Sequence, residues 1–251
     1  MAQFKAYYRP ERVEEVLQLL ARSGVRTAIV AGGTHLNDQR AAPLADEVVD
    51  LQALGLDGVS EAEGRLRLGA MIRLQSLVED ERVPALLREM AHREGPNTLR
   101  NGATLGGVVV VADPESELLA ALLVHEAEVE VQFQSGSRRL TLADFLTGLP
   151  GSVEGGVVTA VSVATSGRGS GERVARTPAD RPIVAAVARQ DEAGQIRLAL
   201  CGVASTPILV KPDPDQLQSL QPPADFRGSS AYRREMAVVL SRRVVESLGG
   251  N

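Results

Sequence analysis

Two glycine-rich segments, each carrying a threonine, are the parts of this sequence whose residue types could hold a ligand. "VAGGTHL" occupies residues 30–36 and "ATLGGVV" occupies residues 103–109. Backbone N–H groups in such segments can converge on an anion, and glycine lets a phosphate approach where a Cβ would clash. Thr34 and Thr104 each add a hydroxyl donor. Two such nests together would suit the pyrophosphate of a dinucleotide better than a mononucleotide.

A purely structural interpretation stays open beside this one. A Gly-Gly pair after a strand is most often a tight turn, and the third glycine of the G-x-G-x-x-G fingerprint is missing after Gly33. Spacing alone therefore leaves nucleotide binding and a simple turn equally open.

Other kinds of chemistry lack the residues they need. The chain has one cysteine, Cys201, whereas a cysteine-ligated iron–sulfur cluster needs about four. His35, His92 and His125 are far apart in the sequence and show no metal-ligand spacing. The sequence contains no G-x-S-x-G, P-loop or H-E-x-x-H motif. We therefore predict no metal site and no catalytic side chain, so that a cofactor must supply any redox chemistry.

Hydrophobic periodicity and turn residues predict the elements that position the glycine segments. A helix over "ERVEEVLQLLARSG" and strands over "RTAIVAGG" and "EVVDL" predict a small β-α-β unit at the start of the chain. Hairpins are predicted at "GVSEAEGRLRLGA", "AEVEVQFQSGSRRLTL" and "PIVAAVARQDEAGQIRLALCGV". Further helices are predicted at "RLQSLVEDE", "VPALLREMAHREG", "PESELLAALLVHE" and "AYRREMAVVLSRRVVESL". We expect the third of these to begin at Pro114 with Asp113 as its N-cap.

A change of composition at 166–181 indicates a boundary between domains. This segment, "SGRGSGERVARTPADR", is rich in glycine and arginine and offers almost nothing to bury. We expect the single cysteine, which lies in an apolar strand, to be a core residue, and His92 and His125 to be solvated on charged helix faces. Arg100 either meets a phosphate or fixes its loop through backbone carbonyls.

Composition bounds the class of protein. The chain has 251 residues, 44% of them hydrophobic and 24% charged, which is an ordinary globular balance. Its net charge of −5 argues against nucleic acid or an anionic membrane surface as the main partner. The start of the chain does not resemble a signal peptide, and no apolar run approaches membrane-spanning length. With one cysteine, we predict a cytoplasmic α/β protein.

Several motifs occur here in the order seen in one family. They are "VAGGTHL", "LRNGATLGG", "ADPESELLAALLVHEAEVEV", "DFLTG" and "VVTAVSV", followed by "GQIRLALCGVASTPILV" and the C-terminal helix. Together they resemble the FAD-binding (medium) subunits of molybdenum hydroxylases, such as those of carbon monoxide dehydrogenase and xanthine dehydrogenase. The resemblance covers nearly the whole chain.

The resemblance implies an α+β fold with an FAD-binding domain of the vanillyl-alcohol-oxidase type. This domain would span 1–167, with two α/β subdomains at about 1–55 and 56–167, and a small α+β domain would span 168–251. The resemblance also implies where FAD binds. The first pyrophosphate loop would be Ala31, Gly32, Gly33, Thr34 and His35, and the second would be Thr104, Gly106 and Gly107. Glu117 would bind the adenosine side, and Arg173 and Val158 would lie near the flavin.

The sequence departs from the family pattern at three positions where that pattern places cofactor-binding residues. Val108 stands where an amide side chain is usual, Glu117 where aspartate is usual, and Arg173 where lysine is usual. The segment 211–229 is also shorter than in relatives, and we expect it to omit a helix. Since these changes bear on cofactor affinity, a structural subunit without flavin is one alternative function. An unrelated α/β enzyme that binds a sugar nucleotide through the same loops is another.

The resemblance implies an oxidoreductase subunit that works in a hetero-oligomer. FAD would collect electrons from [2Fe–2S] clusters of a small partner subunit and pass them to an external acceptor. Substrate oxidation would take place on a large molybdopterin-binding partner.

Overall fold

The computed structural model describes residues 4–35, 45–62 and 64–249. The chain folds into two compact units, and each is assembled from separated stretches of sequence. The first unit contains Met1–Ser76, Asn97–Val111 and Glu128–Ser162, and the second contains Leu77–Pro96, Ala112–Ala127 and Val163–Asn251. Stretches of the two units therefore alternate along the sequence. The predicted division into domains at 1–167 and 168–251 stays a prediction.

The first unit begins with the predicted β-α-β unit, built on a small parallel sheet. Its strands β1 (Ala6–Tyr8), β2 (Thr27–Val30) and β3 (Glu47–Asp50) lie in the order β1-β3-β2, and α1 (Val13–Leu20) packs on them. Val16 and Leu17 of the helix are buried beside Val49 of the central strand. The buried side of α1 therefore fixes the strand that runs into the first glycine segment.

A five-stranded sheet completes the first unit. It has the order β4-β5-β8-β6-β7, from β4 (Val59–Ala62), β5 (Arg65–Gly69), β6 (Glu128–Phe133), β7 (Gly136–Thr141) and β8 (Val157–Ala164). The last two residues of β8 belong to the second unit. The helices α2 (Leu74–Glu79), α4 (Asn97–Gly102), α5 (Leu105–Val111) and α7 (Leu142–Thr147) lie in the connections between strands, with the end of α2 in the second unit.

An antiparallel sheet with helices on both faces forms the second unit. Its strands, in the order β12-β11-β10-β9, are β9 (Arg168–Val174), β10 (Val184–Gln190), β11 (Ile196–Cys201) and β12 (Ile208–Val210). Alternate residues of β10, such as Val184 and Ala186, pack against Leu240 and Val244 of α9 (Ser230–Gly249). The helices α3 (Ala85–Arg93), α6 (Glu117–Val124) and α8 (Pro214–Gln218) complete the unit. The last of these is a short helix inside the segment 211–229, and the prediction that this segment omits a helix of the relatives stays a prediction.

Helices of the described residues do not combine the length and the apolarity needed to cross a bilayer. The predicted cytoplasmic location stays a prediction.

The segment 166–181, where the composition predicts a boundary between domains, contains a strand; the boundary itself stays a prediction. Residues 168–174 form β9, which pairs with β10 along its whole length. A Cβ added at Gly169 would lie 2.4 Å from the Leu86 side chain, and one at Gly171 would lie 2.8 Å from that of Met90. The glycines therefore let α3 pack directly on the strand. The strand has few apolar side chains, but its glycines at 169 and 171 leave room for α3 to pack against it.

The start of α6 also differs from the prediction. Ser116, rather than Asp113, is the N-cap, and its hydroxyl accepts the N–H of Leu119 at 3.1 Å. Asp113 instead accepts the N–H of Glu115 at 2.8 Å in the turn that precedes the helix. The helix therefore begins at Glu117 and not at Pro114.

His125 is buried, and the prediction that it is solvated is wrong. It follows α6 directly, its side chain is buried, and its Nδ1 lies 2.7 Å from the carbonyl oxygen of Ala164. Burial lowers the pKa of this imidazole from 6.5 to about 4, and the nearby charge of Arg189 lowers it further, although the bond to Ala164 acts in the opposite direction. His92, in contrast, is exposed, as predicted.

We predict that His125 makes the protein less stable in mild acid. The folded pKa of about 4 lies below the unfolded value of 6.5, so the unfolded chain binds the proton more readily as the pH falls through this window. At about pH 5 this should cost about 2 kcal/mol of unfolding free energy relative to neutral pH. Denaturant titrations at both pH values should show this loss in the wild type and in the exposed-site control His92→Gln. His125→Gln, which cannot titrate, should lose less, and an equal loss in all three would contradict the prediction.

Candidate functional site

The first glycine segment follows the carboxyl end of a parallel strand. β2 ends at Val30, next to Asp50 of β3, and residues 31–35 turn away from the sheet. Gly33 has φ of +73°, a left-handed conformation that favours glycine. Thr34 and His35 are exposed, and residues from Leu36 to Leu44 lie outside the described part of the chain. The segment therefore forms an open turn at the sheet edge where α/β proteins bind ligands.

The second segment is helical, which the sequence did not predict. Residues 97–102 form α4 and residues 105–111 form α5, with Ala103 and Thr104 between them. The N–H of Leu105 donates to the carbonyl of Ile72 at 3.0 Å, and that of Gly106 donates to Ala70 at 2.7 Å.

The amides that follow are also bonded within the protein. The N–H of Gly107 donates to the Thr104 hydroxyl at 3.2 Å, and that of Val108 donates to the Thr104 carbonyl at 3.0 Å. Thr104 itself is only 1% exposed. The amides of residues 105–108 therefore already have protein acceptors, and the interpretation of this segment as a second backbone nest stays a prediction. Whether Thr104, Gly106 and Gly107 contact the cofactor stays a prediction.

The two glycine segments touch each other through their backbones. A Cβ on Gly32 would lie 2.0 Å from the carbonyl oxygen of Gly102, and one on Gly102 would lie 3.0 Å from the Thr34 methyl group. A Cβ on Gly106 would lie 2.9 Å from Ala70. Close packing against the neighbouring backbone explains the glycine at 32, and tight contacts with Thr34 and Ala70 explain those at 102 and 106. The sequence indicated the close approach, but its immediate partner is another part of the same chain.

Arg73 also contacts Gly102, although it belongs to neither glycine segment. Its backbone forms an isolated β-bridge with Thr104, and its Nη1 donates to the carbonyl oxygen of Gly102. The same oxygen is the one that a Cβ on Gly32 would meet. We call the meeting point of Gly32, Gly102, Thr104 and Arg73 the glycine junction. The only sequence signal for Arg73 is a single cation inside the otherwise apolar stretch "LGAMIRL".

Arg100 and Asn101 serve the local structure of α4. The Arg100 side chain is buried, and its Nε donates to the Gln75 side-chain oxygen at 2.9 Å. Asn101 donates from its amide nitrogen to the carbonyl of Asn97 at 3.0 Å. Whether Arg100 also meets a phosphate or backbone carbonyls stays a prediction.

In the second unit, Glu117 and Arg173 are bound to each other. Glu117 is 2% exposed, and its carboxylate accepts from Arg93 at 3.0 Å and from Arg173 at 2.9 Å. Arg173 also donates to the carbonyl of Pro178. One oxygen of Glu117 therefore pairs with α3 and the other with β9. Each oxygen of the carboxylate can accept a further hydrogen bond, and a contact from Glu117 to a cofactor stays a prediction.

A second buried carboxylate, Glu94, lies beside the same helix. One of its oxygens accepts from the Ser116 hydroxyl at 2.7 Å and from the N–H of Leu118 at 3.0 Å. The other oxygen accepts from Arg181 at 2.9 Å. Glu94 thus satisfies donors at the start of α6, where a carboxylate is favoured by the helix dipole. The sequence carried no signal for this role.

The remaining predicted residues lie on regular elements. Val158 is buried in β8 opposite Val131, and Val108 is half-buried on α5. Cys201 is buried with its Sγ 3.2 Å from the carbonyl of Ser116. Burial raises the pKa of this thiol well above its ordinary value, so it stays protonated. The prediction that Cys201 is a core residue is confirmed.

We predict that Gly32→Ala disrupts the glycine junction. Its methyl group would lie 2.0 Å from the Gly102 carbonyl oxygen, so one backbone must move, and we expect a loss of about 1–3 kcal/mol in unfolding free energy. Gly58→Ala is the matched control, because its methyl group would have no neighbour within 4 Å. Denaturant unfolding of both variants tests this. Equal stability of both variants would mean that the two segments do not approach as described.

We predict that Glu117→Gln destabilises the protein far more than Glu89→Gln. Both carboxylates pair with Arg93, but the Glu117 side chain is 3% exposed and that of Glu89 is 52% exposed. Removing the buried carboxylate leaves Arg173 without its counter-charge and Arg93 with only the exposed Glu89, and should cost about 3 kcal/mol or more. Loss of the exposed pair should cost less than about 1 kcal/mol. Similar values for the two variants would show that the buried pairs do not stabilise the unit.

Known proteins resemble this chain over nearly its whole length. Residues 2–165 match the family described as the FAD binding domain in molybdopterin dehydrogenase, and both glycine segments lie within that match. The uncharacterized protein YgfM of Escherichia coli (strain K12) is 33% identical over 247 residues, covering 93% of this chain and 92% of YgfM. The carbon monoxide dehydrogenase medium chain of Afipia carboxidovorans is 27% identical over 273 residues, covering 96% of this chain and 95% of that protein.

A solved structure shows the same fold. A chain of carbon monoxide dehydrogenase from Hydrogenophaga pseudoflava superimposes with a TM-score of 0.88 at 22% identity, covering 99% of this chain and 98% of that chain. The likeness confirms the predicted α+β fold, and the family match confirms FAD as the cofactor. The chain belongs to the family of FAD-binding domains of molybdopterin dehydrogenases, which are oxidoreductases.

Proposed function

We propose that this chain is the electron-transfer subunit of a molybdopterin-dependent dehydrogenase. It would receive electrons from [2Fe–2S] clusters of a small partner subunit and pass them through FAD to an external acceptor. The observation that carries this proposal is the family match across residues 2–165, which includes both glycine segments. The similarity to the carbon monoxide dehydrogenase medium chain supports a place among several subunits.

The first glycine segment fits a phosphate group of FAD. We find no hydrogen bond from the N–H groups of Gly33 or Thr34 to another residue within 4–35, 45–62 and 64–249. These amides follow β2 in an exposed turn, and the positive φ of Gly33 changes the direction of successive amides. We therefore assign the pyrophosphate to residues 31–35. FAD, when bound, supplies the redox chemistry, because flavins exchange one or two electrons.

The second glycine segment holds the first one in place. Gly102 sets the position of Gly32 by direct contact, and Gly106 sits against Ala70. Thr104 accepts the N–H of Gly107 and is buried, which fixes the start of α5. In our proposal these residues orient the pyrophosphate loop, and Gly107 and Val108 are partly exposed beside it.

The single cysteine of this chain supports the proposal that a partner subunit holds the iron–sulfur clusters. Its one cysteine is buried, and burial raises the pKa of the thiol well above its ordinary value. A cysteine-ligated cluster needs about four thiolates, which this chain cannot supply. The clusters and the molybdopterin would therefore belong to a small and a large partner subunit.

Electron transfer can be tested in the complex purified with its partners. We expect the flavin absorbance to bleach anaerobically when the [2Fe–2S] clusters are reduced, and to recover when an external acceptor is added. A complex lacking this chain should keep cluster reduction but lose reduction of that acceptor. Clusters that reduce the acceptor equally fast without this chain would contradict the proposed route. Gly58→Ala serves as a control variant that should leave both steps unchanged.

A further inference from the structure

Arg73 is placed where the two glycine segments meet. It follows β5 and precedes α2, and the bridge to Thr104 holds its backbone against the second segment. Its Nη1 donates to the carbonyl oxygen of Gly102, the atom nearest to a Cβ built on Gly32. The guanidinium is therefore fixed beside both segments, and its side chain is only partly buried.

The charge of Arg73 is not neutralised by a carboxylate among residues 4–35, 45–62 and 64–249. Other arginines of the first unit are paired, for example Arg67 with Glu130 at 2.8 Å and Arg26 with Asp46 at 3.2 Å. Arg73 instead bonds a neutral carbonyl through one nitrogen. A guanidinium has five N–H donors, so others stay available for an anion.

A charged donor would strengthen the binding of a pyrophosphate next to residues 31–35. The amides of residues 105–108 already donate to protein acceptors. The first segment offers neutral amides. Arginine, in contrast, binds phosphate oxygens through charge-assisted and often bidentate hydrogen bonds.

We propose that Arg73 is a cofactor-binding residue that donates to the pyrophosphate of FAD. This inference rests on the proposed assignment of the pyrophosphate to residues 31–35. The bond to Gly102 holds the guanidinium at the junction and leaves N–H groups that can bind an anionic ligand. Arg73 thus supplies a positive charge beside the two glycine segments.

The test compares the affinities of apoprotein variants for FAD and ADP by titration at two ionic strengths. ADP carries the pyrophosphate without the flavin. Arg73→Gln should lower the affinity for each ligand about 10- to 100-fold, the range expected for loss of a hydrogen bond to a charged group. Its affinity should also depend less on salt than that of the wild type, because one charge contact is gone. Arg73→Lys keeps the charge and should recover part of the affinity for both ligands.

Arg138→Gln is the matched control. Arg138 is an exposed arginine of the same unit whose guanidinium lies 5.0 Å from the centre of the Phe133 ring, and its loss should leave both affinities unchanged.

Several outcomes would overturn the role of Arg73. If Arg73→Gln binds FAD and ADP as the wild type does, Arg73 is not a phosphate ligand, while the proposed function stands. Arg73→Gln could instead unfold more easily, while its affinity for FAD and ADP depends on salt as in the wild type and Arg73→Lys recovers none of the lost affinity. In that case Arg73 only supports the Gly102 carbonyl. If the wild type binds neither FAD nor ADP, the assignment of the pyrophosphate to residues 31–35 fails together with the role of Arg73.

Discussion

The contact between Gly32 and Gly102 is the constraint on which the candidate site depends. The two backbones can come this close only if residue 32 has no side chain, since a Cβ on Gly32 would overlap the Gly102 oxygen. The contact fixes the turn after β2 relative to the break between α4 and α5. Every residue that we assign to the pyrophosphate takes its position from this pair. The site is thus defined first by packing within the protein and only then by what the ligand requires.

The second unit relies on buried charge instead of close backbone contact. Glu117 and Glu94 flank the start of α6, and together they bind arginines from α3, β9 and the segment after it. Burying these carboxylates is tolerable because each accepts at least two hydrogen bonds. A helix as apolar as α6 has no polar face of its own, so these ion pairs fix its first turn while its side chains fill the core.

Most elements could be predicted from the sequence because they follow hydrophobic periodicity. The helix α1, the strand β2 and the hairpin of β10 and β11 appear where the pattern indicates them. The strand β9 could not be predicted in this way, because glycines at 169 and 171 matter through what they allow α3 to do. His125 was misjudged because exposure depends on the elements that later cover a helix end.

The candidate site was predicted in part. Glycine and threonine types indicated a close approach at both segments, and this is present in the structure. Hydrogen bonds between distant residues, such as those that occupy the amides of 105–108, leave no mark in a linear pattern. The same holds for the ion pair between Glu117 and Arg173, which joins positions 56 residues apart.

The interleaving of the two units has a consequence for synthesis on the ribosome. All stretches of the first unit have been translated once Ser162 is added, whereas the second unit still lacks its whole antiparallel sheet. α6, which is buried on all sides in the finished protein, emerges before the strands β10 and β11 that cover it. The nascent chain therefore carries an uncovered apolar helix at least until β11 has been translated, up to Cys201. In that interval it is exposed to aggregation and is a substrate for chaperones that bind apolar segments.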